Sequence, residues 1–177
     1  MLLLGICGLP ITSCYGVAER SDCGIAQGEA ERYLGGKVKY IDRLDPRLHL
    51  SDGEKKNSRV RACGFEAEDG STILLQQNEY DSEGEAKQFY DFWKDYLPRS
   101  EKKDAGDYWE DDMFAVYGDG FMVHAYHSDG EHVDVAGRVG KKAFALRTVG
   151  AKANKTYSRL QIKGFAVRLG EQFAKSK

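Results

Sequence analysis

The dipeptide Asp69-Gly70 separates two strand-like runs, SRVRACGFEAE (58–68) and STILLQQNEY (71–80). Asp-Gly supplies the left-handed backbone that a tight turn needs, so the two runs are expected to pair as antiparallel neighbours. That single pairing excludes an all-helical chain and a purely parallel sheet. A second hairpin is expected where MFAVY (113–117) and FMVHAYH (121–127) flank Gly118-Asp119-Gly120. KVKYIDR (37–43), HVDVAG (132–137) and KAFALRTV (142–149) read as further strands, because β-branched and aromatic residues crowd them.

Helical spacing appears in three places. AQGEAERYL (26–34) puts Ala30, Tyr33 and Leu34 on one face and runs into Gly35-Gly36, a stop signal. Ser82-Glu83-Gly84-Glu85 fits a capping box, after which Ala86, Phe89, Tyr90, Trp93, Tyr96 and Leu97 recur as a core-facing stripe until Pro98 stops the run. In the last segment Leu160, Ile162, Phe165, Ala166, Leu169 and Phe173 keep roughly helical spacing despite Gly164 and Gly170. LDPRLHLSDGEKKN (44–57) reads as loop and residues 99–112 as a charged connector. The sum is a single α+β domain, an antiparallel sheet with amphipathic helices packed on one face. A chain of 177 residues suffices for one such core.

The first fourteen residues, MLLLGICGLPITSC, carry no charge. Their apolar stretch has the length of a signal-peptide core and is too short to span a bilayer. Ile11-Thr12-Ser13-Cys14 resembles a bacterial lipobox, in which an aliphatic residue and two small residues precede the Cys that receives lipid. The resemblance implies cleavage before Cys14, with diacylglycerol on its sulfur and an acyl group such as palmitate on its nitrogen; more than one chain gives stable anchoring. The expected organisation is a leader over 1–14, a short linker over 15–22 and the folded domain over 23–175. The expected address is the cell envelope, with Tyr15 favouring the outer membrane of a bacterium that has two. The usual positive segment before the apolar run is missing, so either the start lies upstream of Met1 or the signal is atypical. Cleavage after Ala18, which would release a soluble secreted protein beginning at Glu19, and burial of residues 1–14 as a strand are the alternatives.

Of the four cysteines, Cys7 leaves with the leader and Cys14 goes to lipid. Cys23 and Cys63 remain, an even pair that in an exported domain is most simply a disulfide. Neither belongs to a Cys-x-x-Cys pair, which argues against a thiolate metal site.

The order SDCGIAQGEAERYLGG (21–36), RVRACGFEAEDGSTILLQQ (59–77), an aromatic helix and GDYWEDDMFAVYGDGFMVHAY (106–126) is similar to a family of bacterial envelope lipoproteins built on a domain of unknown function. Members carry a Cys just before a short helix that ends in Gly. A second Cys lies on a strand before a hairpin, and a Gly-Asp segment leads into a last hairpin and helix. Cys23, Gly35, Cys63 and Gly106-Asp107 hold the matching positions. The chain departs from the pattern at Ala26-Gln27, where the family opens its helix with small or hydroxyl residues, and in a longer tail after Tyr126. The resemblance implies an anchored extracytoplasmic domain with a Cys23–Cys63 disulfide, and it brings no catalytic residues.

Charge and motifs narrow the function further. With 26 basic and 28 acidic residues the net charge is -2, and the signs are interspersed, which excludes the basic face of a nucleic-acid binder. Gly-x-Ser-x-Gly and phosphate-loop motifs are missing, so no catalytic residue and no cofactor is assigned. In HAYHSDGEH (124–132), His124 and His127 are an odd number apart and must point to opposite faces of a strand. His127 and His132 can converge across the turn at Ser128-Asp129-Gly130, with Asp129 or Glu131 as third metal ligand. Glu110, Asp111 and Asp112 offer oxygens to a hard cation, without the alternation of an EF-hand loop. The leading expectation is a lipid-anchored binding or interaction module for an envelope protein, cell-wall polymer or small ligand. The alternatives are a periplasmic metal-handling protein using His127 and His132, and a hydrolase built on a pair of carboxylates.

Overall fold

The computed structural model describes residues 24–112, 118–150 and 155–175, the last segment with side chains from 161. The leader, Cys14, Cys23 and the expected strand over 113–117 lie outside the described residues. Seven strands form one sheet: β1 (Val38–Ile41), β2 (Val60–Ala67), β3 (Thr72–Glu79), β4 (Asp107–Asp112), β5 (Asp119–His127), β6 (Gly130–Val139) and β7 (Lys142–Val149). Their order is β1-β2-β3-β7-β6-β5-β4, and every neighbouring pair is antiparallel. Four helices, α1 (Gln27–Leu34), α2 (Asp52–Lys56), α3 (Glu83–Glu101) and α4 (Lys155–Lys175), complete the α+β domain.

The Asp69-Gly70 hairpin forms as expected, with Gly70 at φ +83° and Glu66 opposite Thr72. α1 ends at Gly35, whose φ of +75° lets its N–H reach back to Glu31. The second hairpin departs from expectation. Asp119 and Gly120 open β5 itself, and the partner strand β4 comes from the segment expected to be a charged connector. The segment over 44–57 also holds more structure than a loop: Pro46–Leu48 forms a single 3-10 turn capped by Asp45, and Ser51 and Glu54 close a capping box on α2.

The helices cover both faces of the sheet, where one face was expected. Successive strand residues point to opposite sides, and β2, β3, β5, β6 and β7 carry apolar residues at both parities. On one side Ile25 and Ala30 of the α1 region and Ile162, Phe165 and Leu169 of α4 bury Phe65, Leu75, Met122, Val135 and Leu146. On the other, Tyr90 and Leu97 of α3 bury Phe121, Val123 and Ala136, and Leu48 and Leu50 cover Ile41, Val60 and Leu74. A sheet apolar on both faces needs a layer on each.

Candidate metal centre

α3 begins where the capping box places it. Ser82 accepts from the Glu85 N–H at 3.2 Å, and the Glu85 carboxylate accepts from the Ser82 N–H at 3.1 Å. It does not stop at Pro98. Pro98 lies inside the helix, which runs one further turn to Glu101. Pro98 cannot donate to the Lys94 carbonyl, a cost the helix bears, and Glu101 gives its last turn a buried anchor. Only Ala86, Tyr90 and Leu97 of the expected stripe are fully buried; Tyr96 is 38% exposed and stacks on the exposed Phe92.

Glu101 is 3% exposed and faces the end of the β5–β6 hairpin. Its Oε2 accepts from His132 Nδ1 at 2.8 Å and from His127 Nε2 at 3.2 Å, while its Oε1 accepts from Arg147 Nη2 at 2.9 Å. His127 and His132 share the α3 side of the sheet because the two-residue turn Ser128-Asp129 pairs His127 with Gly130. Their ring centroids stand 4.4 Å apart. The three ligand atoms, His127 Nε2, His132 Nδ1 and the Glu101 carboxylate oxygen, all lie within 4.8 Å of one another. Thus the expected convergence of His127 and His132 is present.

Neither expected third ligand occupies that role. Asp129 sits behind His132, 3.2 Å from its far nitrogen Nε2. Glu131 points to the opposite face, fully buried, where its carboxylate pairs with His124. His124 is therefore separated from the centre by the sheet, as strand parity requires, and its ring stacks on Trp109 at 5.2 Å. Glu110, Asp111 and Asp112 do not converge either. As neighbours on β4 they alternate faces; Asp111 pairs with Lys163, Asp112 with Lys94, and Glu110 accepts from Tyr108 Oη.

Behind Glu101 the cluster is braced by charge. Arg147 Nε donates to Asp134 Oδ2 at 3.0 Å, and the Thr148 N–H donates to Asp134 Oδ1 at 3.1 Å. The β6–β7 ladder runs from Val139↔Lys142 to Val135↔Leu146; at the next positions the Asp134 carboxylate and the Thr148 hydroxyl take the freed N–H groups. Burial works against the Glu101 carboxylate, but the His132 hydrogen bond and the Arg147 charge outweigh it and hold its pKa well below the usual range. Burial likewise opposes the His132 imidazolium, and the Glu101 hydrogen bond outweighs it, so that His132 is raised. Burial of Asp134 pushes its carboxyl up despite the opposing Arg147 charge.

No motif or spacing in the sequence marks Glu101, Arg147 or Asp134 as site residues. Asp134 and Arg147 leave a trace there, each being one charge inside an otherwise apolar strand, HVDVAG and KAFALRTV. Glu101 leaves none, since it follows a proline within a run of charges. A hydrolase built on a pair of carboxylates needs a concave pocket that holds both. The cleft at the β1–β2 edge holds Glu66 and Glu68, but Lys37 and Lys39 line it too, and Arg47 holds Glu66 at 3.0 Å.

No protein-family model and no curated protein matches the chain. Among solved structures it is similar to the extracellular domain of PknH from Mycobacterium tuberculosis, at 12% identity and a TM-score of 0.47, over 88% of this chain and 97% of that one.

Proposed function

We propose that the chain is an exported binding module, held at the envelope by lipid on Cys14, that takes its ligand where Glu101, His127 and His132 meet. The observation that carries the reading is that convergence: two imidazole side chains, 14% and 12% exposed, close on one buried carboxylate. A preformed polar centre that solvent still reaches is what a small ligand needs.

Cys63 supports the address. It is 1% exposed and held in a disulfide, a state that persists in oxidising compartments outside the cytosol. We assign Cys23 as its partner. Ile25 packs in the same buried cluster as Cys63, and Gly24 lies against Gln77 and Leu169, which brings the chain entering α1 to the β2–β3 face. Cell fractionation tests the anchor. A Cys14→Ser variant is expected to leave the membrane fraction; wild type found only in the soluble medium, beginning at Glu19, contradicts anchoring and favours cleavage after Ala18.

A further inference from the structure

The geometry points to a site for a late first-row divalent cation, zinc foremost, with His127 Nε2, His132 Nδ1 and Glu101 Oε2 as its three protein ligands. The inference rests on the binding reading above and names the ligand class of that centre.

Two imidazole nitrogens and one carboxylate oxygen form a borderline donor set, suited to zinc, copper, nickel and cobalt rather than to magnesium or calcium. Bonds of about 2.0–2.2 Å in a tetrahedral arrangement put neighbouring ligand atoms about 3.4 Å apart. His127 Nε2 already lies 3.2 Å from Glu101 Oε2 and His132 Nδ1 lies 2.8 Å from it, and the two imidazole nitrogens lie within 4.8 Å of each other, so side-chain shifts of about an ångström bring the three atoms to tetrahedral spacing. Three ligands leave a fourth position for water or an incoming group.

The surroundings fit a cation as well. Asp129 stands 3.2 Å from His132 Nε2, where it can accept the Nε2–H and leave Nδ1 free to bind metal, the carboxylate–imidazole–metal relay that orients many metal-bound histidines. Arg147 engages Glu101 through Oε1 alone, which leaves Oε2 for the metal. Around the site stand the carboxylates of Asp129, beside His132, and of Glu101 and Asp134, which share the guanidinium of Arg147, and the α3 C-terminus adds a partial negative charge that favours a cation. Binding releases protons now held between the imidazoles and Glu101 Oε2.

The test titrates the purified full chain, stripped with chelator, with Zn2+ by calorimetry and with Co2+ by visible absorption. One equivalent of saturable binding is expected, with the intense visible bands of tetrahedral cobalt. His127→Ala/His132→Ala is expected to abolish both signals, and Asp129→Asn to weaken affinity about 10-fold or more. Glu83→Gln, which removes an exposed carboxylate at the opposite end of α3, is expected to change neither. Circular dichroism of each variant separates lost ligands from lost fold, and since His127 and His132 lie at a hairpin end, their variants stay informative if a Glu101 variant fails to fold. The proposal is overturned by a wild type that takes up neither metal, or by a double-alanine variant that binds as wild type does. Neither result alters the lipid test, whose readout is membrane retention.

Discussion

Gly64 lies where β2 comes closest to β3. A Cβ there meets the Ile73 carbonyl oxygen and Leu74 Cδ2, each at 2.6 Å. A backbone oxygen cannot step aside, so Gly64→Ala is expected to cost about 1–3 kcal/mol in urea unfolding, and an unchanged midpoint contradicts this packing. Arg147 is the other critical single residue. It lies between Glu101 and Asp134 with its side chain 20% exposed. Arg147→Met leaves the buried Asp134 carboxylate without its cation, a loss of about 3–5 kcal/mol in the same measurement. A loss below about 1 kcal/mol means the two acids are solvated. At this scale the sequence reveals the histidines better than the acid they meet. Strand parity alone separates His124 from His127 and joins His127 to His132, whereas Glu101 is brought to the hairpin by tertiary packing that no local pattern encodes.

At the scale of elements, α3 decides whether the centre is assembled. Its N-terminus rests on the reciprocal Ser82 and Glu85 bonds, and Ser82→Ala is expected to remove about 1 kcal/mol. Its C-terminal turn is fixed to the sheet by Leu97, which is fully buried against the β5–β6 face. Leu97→Ala is expected to cost about 2–5 kcal/mol and to loosen Glu101 with it. Thermal unfolding checks the first quantity, and metal affinity alongside stability checks the second; an affinity unchanged while stability falls separates the helix from the site. The start of α3 is legible because a capping box is a local signal. Its end is not, because the stop signal at Pro98 is overridden by a side chain that finds its partners about 30 residues away, in β5 and β6. The strand β4 is hidden for a related reason: Asp107–Asp112 is polar at every position but Tyr108 and Trp109, so the edge of the sheet carries no apolar alternation.

At the scale of the molecule, the sheet is apolar on both faces and each face has its own helical layer. The α1–α4 side carries the larger cluster and Cys63, and the α3 side carries the candidate metal centre. The disulfide joins the chain ahead of α1 to the middle of β2 if Cys23 is the partner, closing a loop of about 40 residues worth about 3–4 kcal/mol in the chain-entropy account. Reduction is therefore expected to lower the unfolding midpoint of the whole domain, and a midpoint insensitive to reductant contradicts a structural role for it. The Asp69-Gly70 hairpin and most strands are legible because β-branched and aromatic residues crowd each run between turn signals. The division of the helices between faces is not, because it depends on which parity of each strand meets which helix.

On the function proposed above, this domain works outside the cytosol on a lipid anchor. Intact mass spectrometry of the mature protein, taken from its native membrane without reduction, tests it most directly. The account predicts a chain that begins at Cys14 with acyl and diacylglyceryl groups attached and with Cys23 linked to Cys63. An unmodified N-terminus at Glu19, or free thiols at Cys23 and Cys63, contradicts it.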